Sequence, residues 1–267
     1  MTSKASRLRV AYIEHCTPCW PEIAARMRDE MGWEPVYWVG PPAMEAMTIP
    51  RFPDLIFHSR YEANHLVSPS QLAQVRSAPL DEAYLRAMSE VELTALKMLD
   101  VFDSLDAYSF DERARFFRQR LRYWKSIIEA LDLDIVLFPF SPHTVYDYII
   151  QEVCRFAGIR TAMLETTFNF ATFFAIESPR AGSAELREQL AITVATDTHP
   201  LSDAFDDYVR KTRGSYEHAL PYYMRDQFAD FPDHLAKNVF TAQVRDDDQV
   251  PEWRERLRRF VGRGRHG

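Results

Sequence analysis

Residues 132–167, DLDIVLFPFSPHTVYDYIIQEVCRFAGIRTAMLETT, read as one strand–helix–strand unit. The run Ile135–Phe138 is apolar, preceded by Asp132 and Asp134 and closed by Pro139, which suits a strand buried on both faces. Ser141 and Pro142 suit a loop and a helix start, because proline is tolerated in the first helical turn. Val145, Ile149, Val153 and Phe156 then recur at helical spacing, and Gly158 sits where such a helix ends. Residues 159–164 form the second strand. Two parallel strands and a crossover helix require a sheet covered by helices. Ligands of such sheets bind beyond the carboxyl ends of the strands. The two loops at those ends, 140–144 and 165–169, carry His143, Glu165, Thr166 and Thr167, with Tyr146 and Asp147 on the first helical turn.

The same pattern recurs upstream. Residues 9–14 (RVAYIE) and 35–39 (PVYWV) read as strands around a helix at 21–31, and 55–58 as a third strand. Residues 43–53 read as irregular and 60–80 as loop with at most short helix. One helix is expected over 81–102 and another over 109–131, where Ser109 and Glu112 have capping-box spacing. Phe116, Leu121, Trp124 and Ile128 mark the buried side of the second. Its arginines 113, 115, 118, 120 and 122 read as a solvated face or as a phosphate-binding stripe. Residues 170–176 read as a further strand, and everything from 183 onward as helical, with helix starts at Ser202 and over 222–239. The predicted fold is α/β: a Rossmann-like parallel sheet in 1–182, with a two-helix insertion at 81–131, then a helical segment in 183–267.

Composition narrows the function classes. Across 267 residues, 46% hydrophobic content supports a real core, and a formal charge of −7 argues against a general nucleic-acid binder. The 8 glycines against 16 prolines are few for a fold built on glycine-rich phosphate loops, and no such motif occurs. No apolar run reaches the roughly 18 residues of a membrane span. The start, MTSKASRLRV, lacks the apolar core of a signal peptide, and three cysteines argue for a reducing compartment. The location expected is cytoplasmic. The basic end, 251–267, reads as a frayed amphipathic helix or as a peripheral contact with anionic lipid.

Several strand ends carry chemistry. Glu14 and His15 close the first strand, and a carboxylate beside an imidazole can act as a general base near neutral pH. Cys16 and Cys19 follow at CxxC spacing before a helix, as in a thiol redox motif or a site-lining loop. No second pair completes a zinc site, and Cys154 reads as core, with no disulfide to either. His58 and Arg60 close the third strand, where Arg60 suits a phosphate or carboxylate. The positive end of the helix beginning near His143 favours anions, while Asp147 reads equally as the helix's own dipole partner.

The order RVAYIEH, PVYWVG, FPDLIFHSRYEAN, LDIVLFPFSPHTVYDYIIQEVCRFAGIRTAMLETT, followed by LSDAFDDYVRKTRGSYEHALPYYM, resembles bacterial capsular and surface-polysaccharide biosynthesis proteins related to glycosyltransferases of the GT-B fold. The resemblance spans residues 8–225. It implies two Rossmann-like domains around a cleft, the first binding a sugar or glycolipid acceptor and the second a nucleotide sugar. This chain matches the first, acceptor-side half; no second set of alternating strands is readable. The resemblance also implies a base on the acceptor hydroxyl, for which His15, Glu14, His143 and Glu165 are candidates. Positive charge on the leaving diphosphate would come from Arg60 and the central helix, and His58, Tyr146, Asp147, Thr166 and Thr167 would bind substrate. No metal or cofactor is implied beyond the nucleotide sugar as substrate, and no nucleic acid. Two alternatives stay open: a non-catalytic sugar- or nucleotide-sugar-binding module of the same pathway, and a CxxC thiol oxidoreductase.

Overall fold

The computed structural model describes residues 7–103, 107–167, 173–196 and 202–214. The chain divides into two compact units, Met1–Thr198 and His199–Gly267. The first holds a six-stranded sheet in the order β3-β2-β1-β4-β5-β6. Its strands are β1 (Leu8–Ile13), β2 (Trp33–Gly40), β3 (Ile56–Ser59), β4 (Ile135–Phe138), β5 (Arg160–Thr166) and β6 (Phe173–Ile176). All neighbouring pairs are parallel except β5 and β6, which run antiparallel, so the sheet is Rossmann-like and mostly parallel.

Alternation along the central strands builds two cores. Ala11, Ile13, Tyr37, Val39, Val136 and Phe138 face one layer. Val10, Tyr12, Trp38, Ile135 and Leu137 face the other. Successive strand residues point to opposite faces, so near-continuous apolar runs are what a doubly covered sheet demands. Pro35, which has no N–H for a ladder, sits where the β1–β2 register steps from Val10↔Pro35 to Ala11↔Tyr37 and leaves Val36 unpaired.

Helix α1 (Trp20–Met31) covers the second layer and ends at Gly32, whose φ of 72° suits a residue without a side chain. Much of the stretch 43–53, expected to be irregular, lies in α2 (Pro42–Thr48), with proline pre-set at its first position. Ser59 ends β3 and caps α3 (Arg60–His65) by accepting the Glu62 N–H at 3.2 Å. The helix expected over 81–102 is two helices, α4 (Glu82–Ala87) and α5 (Ser89–Phe102), broken at the buried Met88. Helix α6 (Phe110–Leu131) starts at the Ser109–Glu112 capping box and buries Leu121, Trp124 and Ile128, whereas Phe116 is half-buried. Its last turn is held by Arg9, whose side chain donates to the carbonyls of Leu131 and Asp132 at 2.9 Å. Helix α7 (Val145–Phe156) then crosses from β4 to β5 on the α6 side of the sheet.

The arginine row of α6 divides by position. Arg113 binds Asp100 and Asp103, and Arg118 lies 3.5 Å from Glu92, so these two join α5 to α6. Arg120 is buried, lies over the Phe116 ring at 3.6 Å and donates to the Asn64 carbonyl. Arg115 and Arg122 are exposed.

Helix α8 (Ala184–Thr196) follows the sheet within the first unit, and its described side chains are exposed. In the second unit, α9 (Asp203–Gly214) begins at Ser202, whose hydroxyl accepts the Phe205 N–H at 3.3 Å. The helices expected over 222–239 and the basic end 251–267 lie outside the described residues. No helix among the described residues is long and apolar enough to cross a membrane.

Candidate functional site

Strand order creates the site. β1 and β4 are neighbours, yet β1 leads to α1 on one face and β4 to α7 on the other. The chain therefore diverges beyond their carboxyl ends, and such a switch point is the usual ligand position of an open α/β sheet, where a crevice is expected.

From β1 comes Glu14. Its amide makes the last ladder bond, to the Val39 carbonyl at 2.9 Å, and its φ is 62°. That left-handed conformation costs a residue with a side chain about 1–2 kcal/mol, and such outliers gather at functional sites. The Glu14 carboxylate is buried and paired with Arg60, whose Nε donates to Oε1 at 2.9 Å. Arg60 reaches it from the first position of α3, past the end of β2. The same guanidinium donates to Cys16 Sγ, and the Cys16 thiol donates to the Glu14 carbonyl at 3.0 Å. Burial raises the Glu14 pKa, against Arg60, Cys16 and His143, which favour the ionised form.

From β4 comes the loop 139–144. Asp147, on the first turn of α7, accepts the amides of Thr144 at 2.9 Å, Tyr148 at 2.6 Å and His143 at 3.3 Å. It is nearly inaccessible, and burial, with the charge of Glu14, pushes its pKa up to about 7 in spite of those amides. His143 is exposed, with its ring centroid 4.8 Å from that of Phe140, itself 36% exposed. Glu165, half-buried at the end of β5, accepts the Ser141 amide at 2.7 Å. It thereby ties the β4–α7 loop to the sheet, and this bond engages one of its two oxygens.

Glu14, Arg60, His143, Asp147 and Glu165 thus lie at one edge of the sheet, joined by the Arg60–Glu14 pair, the His143–Asp147 and Ser141–Glu165 bonds, and the charge of Glu14 near His143. Other expected site residues are placed differently. His15 is fully buried between Trp20, Tyr12 and Trp38, with ring centroids 4.0, 5.2 and 5.8 Å away. Neither ring nitrogen has a partner in hydrogen-bond geometry, and burial lowers its pKa to about 3 against a small opposing effect of the Ile13 carbonyl. The His15 carbonyl accepts Trp38 Nε1 at 3.1 Å, and a side chain at Gly40 would crowd both groups at 3.2–3.3 Å. His58 is also in the core: Nε2 donates to the Val67 carbonyl at 2.9 Å, which leaves Nδ1 to accept from the Tyr37 hydroxyl. It fastens the segment after α3 and does not face the crevice. Tyr146 is buried, its ring stacked on Trp124. Thr166 is exposed and pairs with Phe173 in the β5–β6 ladder, and Thr167 is half-buried.

Phe140 escaped the sequence reading, and so did the contacts of Cys16, which was read there only as a redox or site-lining residue. The partnership of Cys16 with Glu14 and Arg60 depends on the left-handed turn at Glu14, which nothing local announces. Phe140 carried a readable signal, as an aromatic residue between Pro139 and Ser141 just beyond a strand. Cys16, Cys19 and Cys154 are all free thiols, Cys154 being buried in α7. Among the described residues no His, Cys, Asp and Glu group is arranged to hold a metal ion. No protein-family model matches the chain, and comparisons with curated proteins and with solved structures return no match.

Proposed function

We propose that this α/β unit is the acceptor-side half of a GT-B-type glycosyltransferase of surface-polysaccharide synthesis. The acceptor is a sugar or glycolipid hydroxyl at the crevice, and the donor is a nucleotide sugar. The observation that carries this reading is the exposed His143 imidazole beside the Phe140 ring, near the buried Glu14 and Asp147 carboxylates, whose proton affinity is raised. An aromatic face with a few convergent polar groups suits a sugar. His143 is the base for the acceptor hydroxyl, since its imidazole is exposed beside the aromatic face, and nearby Glu14 stabilises the imidazolium as it forms. Arg60 adds positive charge for the leaving diphosphate. The protein would work in the cytoplasm, with the basic end 251–267 as its contact with anionic lipid.

A second reading, a sugar-binding module without turnover, is favoured by the occupancy of the carboxylates: Asp147 by three amides, Glu14 by Arg60 and Cys16. The described residues include one sheet, not the two of a complete GT-B pair.

The test is calorimetry and nucleotide release with a panel of UDP- and GDP-sugars, with octyl glucoside as acceptor. Transfer requires nucleotide release that His143→Ala lowers roughly a hundredfold with unchanged melting. Binding without release selects the module, and binding of none of the panel refutes both.

A further inference from the structure

The loop after β1 carries chemistry that sugar transfer does not use. Cys16 and Cys19 are both free and are separated only by Thr17 and Pro18. Cys19 is exposed at the N-cap of the twelve-residue helix α1, and the Thr17 hydroxyl lies 3.4 Å from its sulfur. Cys16 is half-buried, with its sulfur 3.5 Å from Glu14 Oε2 and in contact with the Arg60 guanidinium. One thiol is therefore open to solvent, while the other has a carboxylate to accept its proton and a cation to hold the resulting charge.

We propose that Cys16 and Cys19 form a reversible dithiol–disulfide pair that reacts with low-molecular-weight disulfides, with Cys19 as the attacking thiol and Glu14 as the base for Cys16. In the first step the Cys19 thiol gives its proton to solvent. Its sulfur attacks one sulfur of glutathione disulfide, forming a mixed disulfide and expelling one glutathione thiolate. In the second, the Cys16 thiol passes its proton to the Glu14 carboxylate. The Cys16 sulfur attacks the Cys19 sulfur, the Cys19–glutathione bond breaks, and a second glutathione thiolate leaves and is protonated. Two protein thiols are oxidised to one disulfide, and one glutathione disulfide is reduced to two thiols.

The geometry accounts for the order. Burial and the Glu14 charge push the Cys16 thiol up to about 12, so it stays protonated until a bound partner brings a sulfur to it. Arg60 offsets part of that cost as the thiolate forms. The inference does not rest on the sugar-transfer reading, and its assay contains no sugar.

The full chain is equilibrated over graded ratios of glutathione disulfide to glutathione, quenched in acid, alkylated and mapped by mass spectrometry. Wild type is expected to convert to a Cys16–Cys19 disulfide with little mixed species. Cys16→Ser should stop at one glutathione on Cys19, and Cys19→Ser should react much more slowly at Cys16. Glu14→Gln should take up the first glutathione at the wild-type rate yet resolve it roughly tenfold or more slowly, a split that loss of folding would not produce. Three results on wild type overturn the proposal: a dithiol that persists at the most oxidising ratio, a glutathione adduct that never resolves, or a disulfide to Cys154. Resolution by Glu14→Gln at the wild-type rate overturns the role of Glu14.

Discussion

Two buried groups, Asp147 at the start of α7 and His15 just after β1, make opposite and separable demands on pH. Asp147 is shifted from an ordinary 3.8 to about 7 by burial and the nearby Glu14 charge. Between those values the unfolded chain has released the proton and the folded chain keeps it, so the stability this group contributes falls as pH rises, by about 1.4 kcal/mol per unit. His15 is shifted the other way by burial, from 6.5 to about 3. Between those values the unfolded chain holds a proton that the folded chain excludes, so its contribution rises with pH by the same amount per unit. From about pH 4 to 6.5 the two slopes cancel, and each single variant unmasks the other group. Asp147→Asn removes a penalty that reaches about 4 kcal/mol above pH 7, a shift of about 3 units. It keeps one oxygen for the Thr144 and Tyr148 amides but loses the acceptor of the His143 amide, at a cost of about 1–2 kcal/mol. The net expectation is a gain of about 2–3 kcal/mol at pH 8 and near zero at pH 5. His15→Phe should retain the falling limb contributed by Asp147. Urea unfolding of the three proteins at half-unit steps from pH 4.5 to 8 measures this. If Asp147→Asn follows the wild-type curve with a constant offset, the buried carboxyl does not hold its proton as described.

Arg60→Met should leave the buried Glu14 carboxylate without its cation. Because Arg60 is itself 43% exposed, the loss at pH 8 is set at about 1–2 kcal/mol, below that of a fully buried pair. Adding Glu14→Gln to it should recover most of that loss in denaturant titrations. Glu165→Ala should strand the Ser141 amide at a cost of about 1–3 kcal/mol and speed hydrogen exchange in the loop 139–144, whereas Glu165→Gln, which keeps an acceptor oxygen, should do neither.

The sheet was readable because its physical cause is local. A strand buried on both faces has to be apolar along its length, and 135–138 and 35–39 are. The Ser109–Glu112 capping box was readable for the same reason, since both partners lie within one turn. The break at Met88 was not, because no glycine or proline marks it and the apolar spacing runs on across it. Helix α2 was missed although Pro42 occupies a favourable first position, as the adjacent Pro41 and Pro50 made the stretch look broken throughout. Strand-end positions of Glu14, His143 and Glu165 followed from parallel topology alone. Side-chain direction did not: His58 turns inward to Tyr37 and the Val67 carbonyl, and His15 into a box of aromatic rings contributed by β1, β2 and α1. Those choices depend on contacts between segments far apart in sequence.

The central claim is that the crevice between the ends of β1 and β4 is where this protein meets its ligand. Backbone amide NMR during titration with UDP-glucose, and separately with octyl glucoside, tests it directly. The account predicts shifts concentrated at residues 14–16 and 139–147 and at Arg60, and their loss on His143→Ala for the octyl glucoside titration. Saturable shifts confined to other parts of the sheet, or none with either probe at millimolar concentration, would contradict it.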